Sequence, residues 1–196
     1  MMRRVIFYCS MSISILLAMM LASCSSSAMS TSDTTILETT TEANMSIQLT
    51  SEAFAHEKPI PAQYTCTGSD ISPSLTWSEP PAGTQSFALI MDDPDAPVGT
   101  WVHWVLFNIP APSRGVTEAI PSEGTLSDGS MHGKNSSGNQ GYNGPCPPSG
   151  THRYFFKLYA LDEMLGLSSG ADKGELLKAM EGHILAQGQL MGTFSK

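Results

Sequence analysis

Two histidines, an aspartate-rich turn and a tyrosine are the residues of this chain best suited to chemistry. Alternation along Thr100 to Ile109 places Trp101, His103, Val105 and Phe107 on one face of an extended segment. The same rule places His152, Tyr154 and Phe156 on one face between His152 and Leu161. Each segment thus offers an imidazole beside an aromatic ring. Ahead of both stands Asp92-Asp93-Pro94-Asp95-Ala96-Pro97, where two prolines stiffen a turn and hold carboxylates at the rim of an apolar strand. Imidazolium and phenol donors, with backbone N–H groups, can surround an oxyanion, and a carboxylate beside a histidine raises its pKa and favours the donor form. Asp93 would repel a dianion directly, so its expected part is to orient and charge a histidine or to meet an ammonium group. A lone histidine on an apolar strand is more commonly a hydrogen-bonded core residue, and His56, His132 and His183 have no supporting neighbours. Alternation turns Arg153 away from the His152 face, which makes it a framework cation, with Asp95 a turn-fixing carboxylate.

The elements that must position these groups are mostly strands. Met45 to Thr50 alternates, Leu75 to Ser78 is short, Ser86 to Met91 is a continuous apolar run, and Thr100 to Ile109 is rich in aromatic and branched residues. Asp172 to Gln187 carries Leu176, Leu177, Met180, Ile184 and Leu185 at helical spacing, with Asp172 and Glu175 set as a capping box and Gly188 as a stop. Gln189 to Phe194 then returns as a last strand. Between Pro110 and Thr151 about forty residues show weak periodicity, a length that compact domains keep for binding loops or for a variable insertion. The class is mainly antiparallel β with a C-terminal helix packed on it.

Composition narrows the partners. The chain has 196 residues with a formal charge of −8, its acidic groups are dispersed, and no basic patch is present, which argues against nucleic acid. Arg3 and Arg4 precede an apolar run from Val5 to Ala22 that ends at Leu21-Ala22-Ser23-Cys24, the pattern of a secretory leader and a lipid-attachment box. The alternative is an uncleaved membrane anchor. Residues 1–23 are therefore expected to be a lipoprotein signal peptide, Cys24 the lipidated first residue, and residues 24–44 a Ser/Thr-rich tether without enough apolar surface to fold. Residues 45–196 make one domain, expected lipid-anchored at the cell envelope and, in a Gram-negative cell, at the outer membrane, which Ser25 favours, or the periplasmic face.

Three segments sharpen this reading. Asp93-Pro94-Asp95-Ala96-Pro97, Trp101-Val102-His103-Trp104 and Pro147-Pro148-Ser149-Gly150-Thr151-His152-Arg153-Tyr154 resemble, in order and spacing, the signature of the phosphatidylethanolamine-binding (Raf kinase inhibitor-like) family. Cys66-Thr67-Gly68 with Ser72-Pro73-Ser74-Leu75-Thr76-Trp77 is similar to its bacterial YbhB/YbcL branch. The resemblance implies a Greek-key sandwich of two antiparallel sheets with a small end pocket for a phosphate-like anion or a phospholipid head group. Carried over by position, Asp93 is the pocket carboxylate, His103 and His152 its histidines, Tyr154 its phenol, Trp101 a wall, and Gly144 and Cys146 the sources of backbone N–H groups. The C-terminal aromatic of eukaryotic members has no clear counterpart here. The implied role is non-catalytic binding or regulation without a cofactor. Two rival readings are an inhibitor of an envelope protease, and a hydrolase holding a metal on Asp93, His103 and His152.

Cys9 falls in the leader and Cys24 is the lipid site, which leaves Cys66 and Cys146 as an even pair in an oxidising space. They are compatible with a disulfide closing about eighty residues, worth on the order of 2–4 kcal/mol if unstrained, or with two buried thiols.

Overall fold

The longest apolar runs become the centre of one large sheet, because a strand with no polar face must be covered on both sides. The computed structural model describes residues 45–196, so the expected leader (1–23), Cys24 and the tether (24–44) lie outside the described residues. The strands are β1 (Met45–Ser46), β2 (Leu49–Thr50), β3 (Lys58–Pro59), β4 (Leu75–Trp77), β5 (Ser86–Asp93), β6 (Trp101–Pro110), β7 (Gly115–Val116), β8 (Met131–His132), β9 (Thr151–Leu161) and β10 (Ile184–Ser195), with helix α1 (Lys173–Met180) before the last. The large sheet runs β1-β10-β9-β5-β6-β8, with β3 also on β10, and a small sheet runs β2-β4-β7. The order β9-β5-β6-β8, antiparallel throughout, is a Greek key. Among the described residues, only β1 and β3, two residues each, pair parallel, both on β10.

Side chains from both sheets fill the space between them, among them Leu49, Leu75 and Trp77 from the small sheet and Phe87, Leu89, Trp104, Leu106, Phe156 and Leu158 from the large one. The other face of the large sheet packs Ala88, Ile90, Val105 and Phe107 against Leu176 and Met180 of α1. Mainly antiparallel β with a helix on one face is the class the residues predict. Among the described residues, no helix is long and apolar enough to cross a membrane.

Three expectations are corrected. Met45 to Thr50 is two short strands in different sheets: the Ile47 N–H bonds to the Gln187 carbonyl and the chain then crosses over, so Ile47 and Leu49 still both enter the core. The helix ends at Met180, not Gln187. Gly182 takes a left-handed φ of 82°, the His183 N–H returns to the Met180 carbonyl, and Ile184 opens β10. Its start is as predicted, for Asp172 Oδ1 accepts from the Glu175 N–H while Glu175 Oε2 accepts from the Asp172 N–H. Gly188 serves as a crossing point instead of a stop, because a Cβ there would lie 2.2 Å from the Ile47 carbonyl oxygen. The third correction concerns β6. Met91 pairs with Trp104 but Asp92 with Val102, so His103 is an extra residue and alternation breaks there. Trp104 and Leu106 face the inter-sheet core, while Val105 and Phe107 turn to the helix. The stretch between Pro110 and Thr151 is built, carrying β7 and β8.

Candidate functional site

The bulge at His103 and the end of β5 open a cavity of about 350 Å³ at one end of the sandwich. Its wall contains Asp93, Trp101, His103, Gly144, Cys146 and His152, six of the seven residues expected at the pocket. Asp93 ends β5 and pairs with Trp101, which starts β6, so the strand register itself delivers these two together. His152 stands near the start of β9, where its Nδ1 lies 2.7 Å from Asp93 Oδ2. The other Asp93 oxygen accepts the Asp95 N–H at 2.8 Å, closing the proline turn. Asp95 in turn takes the Arg153 backbone N–H and both Nε and Nη2 of its guanidinium, which fastens the turn to β9. Those hydrogen bonds hold the Asp95 carboxyl down at about 2, so it stays ionised and structural, as does Arg153.

His103 is fixed differently. Its Nδ1 donates to the Asn143 carbonyl at 2.6 Å, leaving Nε2 as the free ring nitrogen. Burial depresses its pKa below the ordinary 6.5, outweighing the Asn143 hydrogen bond and the charges of Asp93 and Asp70. The expectation that a neighbouring carboxylate charges the histidine therefore fails for His103. At neutral pH this ring is neutral, and its Nε2 is an acceptor.

Tyr154 does not line the cavity. It is fully buried behind the two imidazoles, edge-on to His103 and stacked on His152 at centroid distances of 5.2 and 6.5 Å. Its hydroxyl lies beside the Asp93 carboxylate without the alignment of a full hydrogen bond, and burial, the charges of Asp93 and Asp95 and this approach of the Asp93 side chain raise its pKa. The Gly144 N–H is also engaged, donating to Asp70 Oδ1 at 2.7 Å, so it cannot serve an anion as expected. A Cβ at Gly144 would sit 2.6 Å from the Tyr64 carbonyl oxygen, which explains the glycine by close approach.

Three wall residues, Val98, Ser137 and Asn143, carry no signal of their own in the sequence, while Ala96, Pro97, Pro147 and Pro148 come from the motif segments. Ala96, Pro97 and the exposed Val98 make an apolar rim on one side, facing Pro147 and Pro148, and Asn143 and Ser137 add polar groups. Cys66 and Cys146 form a disulfide, with a Cα separation of 5.4 Å. His132, which seemed unsupported, is a buried core residue: its Nδ1 accepts from Trp104 Nε1 and its Nε2–H donates to the Pro121 carbonyl. His183 lies between Asp162 and Glu163 at the surface, and His56 accepts the Met191 N–H; neither joins the cavity. A larger groove of about 980 Å³ is lined by residues of β9 and β10 and the stretch from Ser46 to His56, with His56, Lys157 and Tyr159 as its ionisable side chains, and the site imidazoles do not reach it.

Among the described residues, no group of three or more His, Cys, Asp or Glu side chains is arranged to hold a metal ion.

A Greek-key sandwich with an end pocket of two oriented imidazoles defines a β module of the kind that serves binding or regulation. A family profile described as phosphatidylethanolamine-binding protein matches residues 50–195. A UPF0098 protein of Methanothermobacter thermautotrophicus is 53% identical over 150 residues, covering 76% of this chain and 99% of that protein. The crystal structure of a phosphatidylethanolamine-binding protein homologue from Chlamydia trachomatis is 41% identical with a TM-score of 0.72, covering 77% of this chain and 98% of its own. That of Escherichia coli YbcL is 32% identical, also with a TM-score of 0.72, over 76% of this chain and 98% of its own. The chain belongs to the phosphatidylethanolamine-binding protein family.

Proposed function

We propose that this protein is an envelope-anchored binding or regulatory protein whose end pocket receives a small anion, a phosphate or a phospholipid head group, without catalytic turnover. One observation carries the reading. His103 and His152 both border the cavity with Nδ1 already committed, to the Asn143 carbonyl and to Asp93, so each has its Nε2 left for a ligand. A histidine held this way becomes a donor at Nε2 when protonated, and Asp93 is placed to support that charge on His152. The apolar rim of Ala96, Pro97 and Val98 suits the organic part of an ester. Anchoring through Cys24 rests on the leader pattern and the tether that follows it.

The direct test is calorimetric titration of the full chain with glycerophosphoethanolamine and with inorganic phosphate, beside nitrogen-15 spectra of the histidine rings. Binding that moves the His103 and His152 signals is the expected result. Binding that leaves both rings undisturbed, or no binding at either pH 5.5 or pH 7.5, overturns the reading. A Cys24→Ser variant of unchanged size and unchanged membrane partitioning would reject the lipid anchor.

A further inference from the structure

The wall residue Cys146 belongs to a stretch that no strand holds. Residues 141–150 lie outside every strand, yet this stretch supplies the Asn143 carbonyl that orients His103. It is tied to the segment around residues 64–70 by three hydrogen bonds and one covalent bond. Tyr142 donates its hydroxyl to the Tyr64 carbonyl at 2.6 Å, the Gly144 N–H goes to Asp70 at 2.7 Å, and the Cys66 N–H goes to the Pro145 carbonyl at 3.1 Å. Asp70 and Cys66 are exposed, so water competes for their hydrogen bonds. The disulfide between Cys66 and Cys146 closes a separation of 80 residues and is the link that water cannot replace.

We propose that the Cys66–Cys146 disulfide is a thiol-exchange site that sets the affinity of the pocket: closed, it holds the Asn143 carbonyl on His103; opened by a dithiol reductant, it frees that stretch and weakens ligand binding. This inference rests on the pocket reading above. Both cysteines are exposed, so an external thiolate reaches the bond. Attack on Cys66 Sγ forms a mixed disulfide and sends the electron pair of the broken S–S bond to Cys146 Sγ. Lys196 Nζ stands 3.9 Å from that sulfur and stabilises the leaving thiolate. The reductant's second thiol then displaces Cys66, so the reductant ends as a cyclic disulfide and its two protons end on Cys66 and Cys146. The hydrogen bonds at Tyr64 and Asp70, and the Asn143 N–H on the His103 carbonyl at 3.0 Å, need no cysteine, so opening loosens the stretch without unfolding the sheets.

Linkage makes the effect reciprocal. If reduction weakens binding roughly tenfold, a typical coupling, bound ligand makes the disulfide harder to reduce by the same factor. For a two-electron couple that is a shift of about 30 mV.

The experiment measures glycerophosphoethanolamine affinity of the full chain, oxidised and after dithiothreitol, with circular dichroism on both forms. It then measures the dithiothreitol redox equilibrium with and without saturating ligand. Roughly tenfold weaker binding by a folded reduced form, with the matching shift in the redox equilibrium, is the expected result. Equal affinity of the two forms overturns the inference and leaves the pocket reading standing. A bond that only reduces in denaturant also overturns it. Should the oxidised form fail to bind, the pocket reading itself falls and the inference falls with it. The double variant Cys66→Ser and Cys146→Ser should match the reduced form; if it misfolds, the reduced natural chain decides alone.

Discussion

Asp92 and Asp93 are neighbours at the end of β5, and their surroundings could hardly differ more. Asp92, 1% exposed, points to the helix side of the sheet, where Lys157 Nζ lies 2.8 Å and Lys173 Nζ 2.5 Å from its oxygens. Asp93, 3% exposed, points to the opposite face and meets His152 beside a cavity. Alternation alone separates them. A carboxylate between two ammonium groups has partners that stay charged across the physiological range, so it behaves as a fixed joint between β5, β9 and α1. A carboxylate on an imidazole has a partner whose charge can change with pH or with a ligand. Burial of a charge is therefore no sign of function by itself; the titration range of its partner and the space in front of that partner decide.

The comparison breaks most visibly through Asp92. Asp92→Asn leaves two ammonium groups facing each other without a counter-charge, and removing one partner of such a buried set costs on the order of 3 kcal/mol. Urea unfolding should show this as a lower midpoint with an unchanged slope. Pocket affinity measured in the folded range should stay within about twofold, since the Asp92 side chain lies on the face of the sheet away from the cavity. A parallel collapse in affinity would mean that the two faces work as one unit. Asp93→Asn is expected to do the reverse. An amide can still accept from a neutral His152 but cannot support the imidazolium, so binding of glycerophosphoethanolamine should weaken by about 2 kcal/mol, with stability falling by about 1 kcal/mol. Calorimetric titration and urea unfolding of the same variant separate the two numbers.

A gentler perturbation is pH. His103 protonates in the folded protein only below its ordinary 6.5, so its Nε2 becomes a donor in that acidic window. Affinity for glycerophosphoethanolamine, a diester of constant charge there, should rise as pH falls from 6.5, by no more than about tenfold per unit for each proton taken up. Stability of the unliganded protein should move the other way. The unfolded chain takes up a proton on His103 at higher pH than the folded one, so stability drops as pH falls below 6.5. His132, also depressed by burial, adds in the same direction. Thermal unfolding across pH 7.5 to 5, with and without ligand, checks both signs. A flat affinity profile would remove His103 from the binding site.

Much of this site was legible before any coordinates. A continuous apolar run and two segments rich in aromatic and branched residues mark the strands that lead to Asp93 and carry His103 and His152, although the run from Ser86 ends at Asp93 and not at Met91. What the residues could not show is of three kinds. The bulge at His103 is a choice of strand register, and alternation written through it wrongly put Val105 and Phe107 beside the imidazole. The length of α1 was overread because Ile184 and Leu185 fit helical spacing as well as strand spacing, and Gly182 alone breaks the tie. Contacts distant in sequence left no local trace: His132 with Trp104, Gly144 with Asp70, and the two lysines on Asp92 are 28, 74, 65 and 81 residues apart.

The smallest expected effect is also the most pointed, because it concerns a residue that the family pattern places in the pocket. Tyr154 lies behind both imidazoles with its hydroxyl buried and unpaired beside Asp93. A buried hydroxyl without a partner has given up its hydration for nothing, so Tyr154→Phe removes a penalty while keeping the ring that packs against His103 and His152. The variant should be as stable as the natural protein or up to about 1 kcal/mol more stable, and its affinity for glycerophosphoethanolamine should change by less than about twofold. A loss of more than about 1 kcal/mol in either would mean that the hydroxyl bonds Asp93, a water or the ligand. Asp93 would then answer to two donors instead of one, and its contrast with Asp92 would narrow to which partners can change charge.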